Sequence, residues 1–187
     1  TRMDTVLGRA AGNAVEVQES LDVLGGGGPA DLIEVTVALA REMIDLAGID
    51  ADPAEVLASG AARPVFDAMV AGQGGDIGAG LPEAEHNHVV TADRAGWITR
   101  LDSRSVGIAA WRLGAGRARK EDPVSPVAGI VCLKKPGEAV EAGEAVLELR
   151  TEEPGRFDGA RAALAGAMSI EDAPVEPEPL IVERITA

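Results

Sequence analysis

Tyrosine is absent from this sequence, and phenylalanine and tryptophan contribute two residues each. A chain so poor in rings has few platforms on which bases could stack, which argues against single-stranded nucleic acid as a ligand. Positive charge is scarce too: 17 Lys and Arg stand against 31 Asp and Glu, a formal charge of -14. Nucleic acid and anionic membrane surfaces are repelled by such a chain, so neither is expected as a partner. Cysteine occurs once, as Cys132. An intrachain disulfide is impossible, and a reducing cytoplasm is the expected location. Its neighbours Val131 and Leu133 predict a buried strand thiol rather than a reactive one. No apolar run reaches the roughly 20 residues needed to cross a bilayer. No basic-then-apolar leader opens the chain, and Thr1 at its head fits a processed or truncated product, with Met3 as an alternative start.

What is present is enough for a folded protein. Hydrophobic residues make up 46% of 187 positions, sufficient to bury a core in one domain or two small ones. Ala10, Ala14, Val17, Leu21 and Leu24 alternate spacings of four and three, which predicts an amphipathic helix ended by Gly25 to Gly28. Pro29, Asp31 and Glu34 open a second helix whose stripe is Leu32, Val35, Leu39, Met43 and Leu46. Ile33, Val37, Ala40 and Ile44 widen that stripe, so this helix is expected to be buried on most sides, with Gly48 as its stop. Asp52-Pro53-Ala54-Glu55 reads as a capping box opening a short helix to about Ser59, and another helix is expected from Arg63 to Ala71.

The stretch from Gly72 to Glu85 is polar and glycine-rich, and the domain boundary is placed there. Beyond it the pattern changes. Val89 to Arg100, Val127 to Leu133 and Ala145 to Leu149 read as strands. Helices are expected at Ser105 to Leu113 and at Arg156 to Met168. Lys135-Pro136-Gly137-Glu138 and Gly143-Glu144 read as turns. Asp172 to Pro179, acidic and proline-rich, is expected to be extended or loosely held, and Leu180 to Ile185 to return as a strand. The segment from Val89 onward is expected to be the more stable unit.

Several motifs invite a chemical reading. Glu16 and Glu19, three apart on one helix face, could approach a shared hard cation or could simply be a solvated acidic face. The glycines of Leu113-Gly114-Ala115-Gly116-Arg117-Ala118-Arg119-Lys120-Glu121-Asp122-Pro123 allow a tight turn whose basic rim could face an anion. It is neither a Walker loop nor a dinucleotide fingerprint, because the required third glycine or Gly-Lys-Ser/Thr does not follow. His86-Asn87-His88 has no second ligand pair at zinc-like spacing and reads as a polar linker. Ser103, Ser105 and Ser125 have no evident histidine partner for nucleophilic work.

The segment Leu7-Gly8-Arg9-Ala10-Ala11-Gly12-Asn13-Ala14-Val15-Glu16-Val17 resembles one found in the thymidine and pyrimidine-nucleoside phosphorylases. The Leu-Gly-Ala-Gly-Arg and Lys120-Glu121-Asp122 pair is a second match. Gln73-Gly74-Gly75-Asp76 and Pro179-Leu180-Ile181-Val182-Glu183-Arg184-Ile185 extend the likeness over nearly the whole chain. The region from Ile49 to Arg63 is shorter than is usual in that family. At the start, Arg2 stands where an acid is usual, Asp4 where an amide is, and Thr5-Val6 where Gln-Pro is common.

The resemblance implies a mixed α/β (α+β) fold. Residues 1–85 would be the carboxy-terminal helical part of a truncated phosphorylase α/β domain. Residues 86–187 would be an α/β-hammerhead domain of barrel-sandwich-like topology. It also implies reversible phosphorolysis of pyrimidine nucleosides to free base and pentose 1-phosphate, with inorganic phosphate as co-substrate. The full-length enzyme would be a cytoplasmic homodimer. The family's catalytic and substrate-binding residues would lie upstream of Thr1, so no catalytic residue is assigned here and the chain alone is expected to be inactive. Its potassium-like ion is held by two backbone carbonyls and a glutamate, which fall on Leu7, Ala10 and Glu19. Two other readings stand beside this one. A non-catalytic scaffold or regulatory remnant would keep the hammerhead. A biotinyl or lipoyl carrier would use similar turns at Lys135 and Gly143, but needs a lysine where Arg150-Thr151-Glu152 stands.

Overall fold

The computed structural model describes residues 1–176 and 178–185. The chain forms two compact units that are not contiguous in sequence. Residues 17–81, with the stretch from Leu180 onward, form a helical unit; Arg2–Glu16 and Pro82–Pro179 form a mixed unit of sheets and helices. Among the described residues no helix is long and apolar enough to cross a membrane.

In the helical unit, α1 (Ala14–Leu24, begun in the other unit) is followed by α2 (Ala30–Ala47), α3 (Pro53–Ala58) and α4 (Ala62–Gly72). Pro29 takes the N-cap position of α2, and Gly48 ends that helix in the left-handed region with φ 65°. Asp52 caps α3 by accepting from Ala54 N at 2.9 Å, with Pro53 at the first helical position. The core is small: Val23, Val37 and Leu57 are buried, with Leu24, Leu32 and Ile33 packed against them. Helix α2 is therefore not buried on most sides. Leu39, Met43 and Leu46 of the expected stripe are exposed, whereas Val35 and Val37 are buried.

The mixed unit begins with β1 (Ala10–Gly12) and continues with β2 (His86–Thr91), β3 (Gly96–Leu101), α5 (Ser103–Ala110), β4 (Gly129–Cys132), β5 (Ala139–Val140), β6 (Ala145–Thr151), α6 (Phe157–Leu164) and β7 (Met168–Glu171). One sheet has the order β1-β4-β6-β2 and the other β5-β3-β7, and every pairing is antiparallel. Ile98, Leu101, Val106, Leu113, Ile130, Val146 and Leu149 are essentially inaccessible and come from strands of both sheets, α5 and the turn after it. Cys132 lies in this core, as its apolar neighbours predict.

Five sequence expectations are corrected here. Ala10 belongs to a strand, not to the first helix, because its partner Val131 supplies the backbone pairing. The single strand expected from Val89 to Arg100 is two strands on different sheets, broken by the turn at Asp93 to Ala95. His86-Asn87-His88 opens β2 instead of forming a linker. Leu180 to Ile185 carries no strand, and α6 stops at Leu164 so that Met168 can pair with Leu101. Asp172 to Pro179 holds no helix or strand over its described residues, in line with an extended or loosely held stretch, and Pro177 lies outside them.

Candidate functional site

The family-like segments at Leu7 and Leu113 and the Lys135 turn come together in the mixed unit. Register starts the construction. Ala10 lies opposite Val131, and Arg9 O accepts from Cys132 N at 2.6 Å. Hydrogen-bonded and non-bonded positions alternate along an antiparallel pair. Arg9 and Ala11 thus aim their main-chain groups at β4, while Ala10 and Gly12 aim theirs away from it. Strand β1 is a sheet edge, so the Ala10 carbonyl faces outward from the ladder. The Gly12 amide also faces outward, and Glu16 Oε1 takes it at 2.7 Å. That contact ties the strand to the first turn of α1, where a carboxylate is also favoured by the helix dipole.

The segment before β1 is gripped by the β4–β5 turn. Lys135 Nζ donates to Gly8 O at 2.7 Å, and Arg9 donates to Leu133 O at 3.0 Å and to Glu138 Oε1 at 2.5 Å. Glu138 also accepts from Lys135 N at 2.8 Å. Partial burial opposes ionisation of Glu138, but the hydrogen bonds from Arg9 and Lys135, with the charges of Arg9 and Lys134, outweigh it and hold its pKa below the ordinary carboxylate value. Arg9, Trp97, Cys132, Lys134 and Glu138 line an open groove of about 650 Å³. Its cations are already engaged: Lys134 Nζ reaches Ala139 O at 3.0 Å and Glu144 Oε1 at 2.8 Å.

The glycine loop is closed at its neck. Ser125 N donates to Gly114 O at 2.9 Å, and the Asn13 side-chain amide donates to Ala115 O at 3.0 Å and Ser125 O at 2.7 Å. Gly114 has φ 112°, and Leu113 O beside it accepts from the buried Thr151 Oγ1 at 2.8 Å. The tip is held by Asp122 Oδ2, which accepts from Ala118 N and from Arg119 N, the latter at 2.8 Å. Arg117, Arg119 and Lys120 are exposed on it. Asn13 thus joins the two family-like segments. Sequence reasoning missed its role, as it missed those of Arg9 and Glu138, because partners more than a hundred positions away leave no local signal.

Of the residues expected to hold a cation, Leu7 and Ala10 lie in the mixed unit and Glu19 on the part of α1 assigned to the helical unit. Among the described residues no group of three His, Cys, Asp or Glu side chains is placed to hold a metal ion. His88 packs instead on Phe157, with ring centroids 5.4 Å apart. The carrier reading loses its geometric basis: after Thr151 the chain enters a helical turn at Pro154–Arg156 and then α6, with no hairpin tip for a carrier lysine.

Comparison with known proteins agrees with this layout. Residues 97–171 match the family model of the pyrimidine nucleoside phosphorylase C-terminal domain. The thymidine phosphorylase of Mycobacterium tuberculosis (strain H37Rv) is 50% identical over 186 residues, covering 99% of this chain and 44% of that protein. The pyrimidine-nucleoside phosphorylase of Staphylococcus aureus (strain N315) is 39% identical over 161 residues, covering 80% of this chain and 37% of that protein. The chain thus spans less than half the length of the relatives it matches, and corresponds to the carboxy-terminal portion of the thymidine/pyrimidine-nucleoside phosphorylase family.

Proposed function

We propose that the protein works as the carboxy-terminal portion of an enzyme that reversibly phosphorolyses pyrimidine nucleosides. The observation that carries this reading is 50% identity to a thymidine phosphorylase, sustained over 99% of the chain. In the reaction, phosphate attacks the anomeric carbon of the pentose, the bond to the base breaks, and the base leaves with the bonding electrons. Free pyrimidine and pentose 1-phosphate result. Such a reaction needs a phosphate cradle and polar groups that take up charge on the leaving base. In this reading those groups belong to the portion of the enzyme outside this sequence.

The helical unit then supplies the helical flank of the phosphorylase α/β domain, and the mixed unit its hammerhead. The carbonyls of Leu7 and Ala10 and the carboxylate of Glu19 contribute to a potassium site. Oxygen donors of this kind suit a hard monovalent cation. The outward direction of the Ala10 carbonyl supports that role, as do the restraints that Lys135 and Glu138 place on Gly8 and Arg9. When bound, the ion would supply fixed positive charge beside the segment. The assembled enzyme would be a cytoplasmic homodimer.

A chimera tests the reading. The matching part of the Mycobacterium tuberculosis thymidine phosphorylase is replaced by this chain, and pyrimidine release from thymidine is measured with and without phosphate. Phosphate-dependent release is expected from the chimera and none from the isolated chain. A folded chimera that releases no base would overturn the proposal.

A further inference from the structure

Leu7 to Ala10 present four successive carbonyl oxygens, and the mixed unit engages the inner two. Gly8 O accepts from Lys135 Nζ at 2.7 Å, and Arg9 O accepts from Cys132 N at 2.6 Å. Among the described residues no turn, loop or side-chain hydrogen bond ends on Leu7 O or Ala10 O. The register of β1 turns the Ala10 carbonyl away from β4. The two outer oxygens are therefore the ones left for an ion. A carbonyl that already holds an ammonium is a poor ligand for a second cation, because like charges repel. Lys135 thus decides which oxygens of this run are open to one.

Lys135 is itself held in place. Its amide donates to Glu138 Oε2 at 2.8 Å, and Glu138 also accepts from Arg9, the residue between Gly8 and Ala10. The turn is fastened to β3 by two hydrogen bonds. Gly137 N donates to Ile98 O at 2.8 Å, and Ile98 N donates to Glu138 O at 3.0 Å. Ile98 is inaccessible in the core. A line of fixed contacts therefore runs from the core through the turn to Gly8, all within one compact unit.

Carbonyl oxygens select among monovalent ions by their number and placement. We infer that Lys135 is a specificity-determining positioning residue: by gripping Gly8 O it sets the relative placement of the Leu7 and Ala10 carbonyls, and so which monovalent cation they prefer. The inference rests on the reading that these carbonyls hold a cation, and adds to it a role for the β4–β5 turn. Positioning and simple charge have different signatures. Removing the Lys135 ammonium takes a positive charge away from potassium and sodium alike, which moves both affinities together. Losing the grip on Gly8 frees the carbonyls to shift and changes the ratio of the two affinities.

The test uses the chimera that carries this whole chain, prepared in a choline buffer. Thermal midpoints are followed against added potassium and sodium, because an ion bound only by the folded protein raises them. Half-activating concentrations of each ion for phosphorolysis are measured alongside. The chimera with the unaltered chain should prefer potassium. Lys135→Met should shrink the potassium-to-sodium affinity ratio about threefold or more in both measurements, with the rate at saturating potassium largely kept. Lys135→Arg, which keeps a donor, should recover part of the ratio. Lys134→Met should leave it unchanged, because that amine holds Ala139 O and Glu144 instead of Gly8 O. Glu138→Gln loosens the same turn while leaving Lys135 in place; it should move the ratio in the same direction, and it decides the matter if Lys135→Met does not fold. A potassium response whose ratio to sodium is unchanged in folded Lys135→Met, or equally changed in Lys134→Met, overturns the inference and leaves the cation reading standing. An unaltered chimera that responds to no monovalent cation overturns the cation reading, and the inference with it.

Discussion

The guanidinium of Arg9 meets the carboxylate of Glu138 at 2.5 Å, joining segments 129 positions apart. Both side chains are more than a third exposed, so water screens the pair and its net contribution is only about 0.5 kcal/mol. Glu138→Gln should lower thermal stability slightly at neutral pH. The pH dependence tells more. The folded-state pKa of Glu138 lies below its ordinary value of 4.5, so its contribution is complete above that value and is lost as pH falls through the folded pKa. Wild-type denaturant midpoints measured from pH 6 downward should drop more steeply below about pH 4.5 than those of Glu138→Gln. Parallel curves would remove the pair from the account.

Asn13→Ala should leave the carbonyls of Ala115 and Ser125 without their side-chain donor. The expected cost is about 1–2 kcal/mol, because the contact is partly buried. The loop should open at its neck, and the first effect should be faster tryptic cleavage after Arg117, Arg119 or Lys120. Mass analysis of the fragments checks the site. Cleavage at an unchanged rate would show that the Ser125–Gly114 hydrogen bond holds the loop alone.

Gly12 has no room for a side chain. A Cβ there would lie 2.5 Å from Ala128 O and 2.5 Å from Gly129 Cα, both backbone atoms that cannot turn aside. Gly12→Ala should therefore separate β1 from β4 and cost about 2 kcal/mol or more. Amide exchange at Ala11 and Asn13 should speed up more than exchange at Leu149. Equal acceleration everywhere would mean global rather than local loosening.

Two leucines, one buried in the mixed unit and one exposed on α2, should differ sharply in their response to truncation. Leu149 is fully buried among the strands, and Leu149→Ala should cost about 2–5 kcal/mol. Leu46 is 88% exposed, and Leu46→Ala should change stability by less than about 0.5 kcal/mol. Thermal unfolding followed by exchange mass spectrometry should find the longest-lived protection at Ile98, Ile130 and Leu149.

Helix positions were legible in the sequence because their signals are local. Asp52 and Pro53 start α3, and Gly48 stops α2, with partners only a few residues away. Burial was less legible. The width of the apolar stripe on α2 predicted burial on most sides, which the structure does not show, because nothing within the helix says whether Leu39 or Val35 meets a neighbour. Ala10 fitted a helical spacing with Ala14 and Val17, yet its backbone pairs with Val131, and long-range pairing overrides a local period. The family-like segments were visible as motifs. Their junction through Asn13, Arg9, Lys135 and Glu138 was not, because each link spans most of the chain.

The placement of β1 bears on how the chain assembles during synthesis. Ala10 is synthesised well before its partner Val131, with residues 17–81 of the helical unit made between them. A small set of edge residues must stay unpaired throughout that interval, and closing so long a loop is slow. The exposed sheet margin at β4 is correspondingly late to be covered, which makes the timing of one three-residue strand a control on how long the nascent protein presents an open edge.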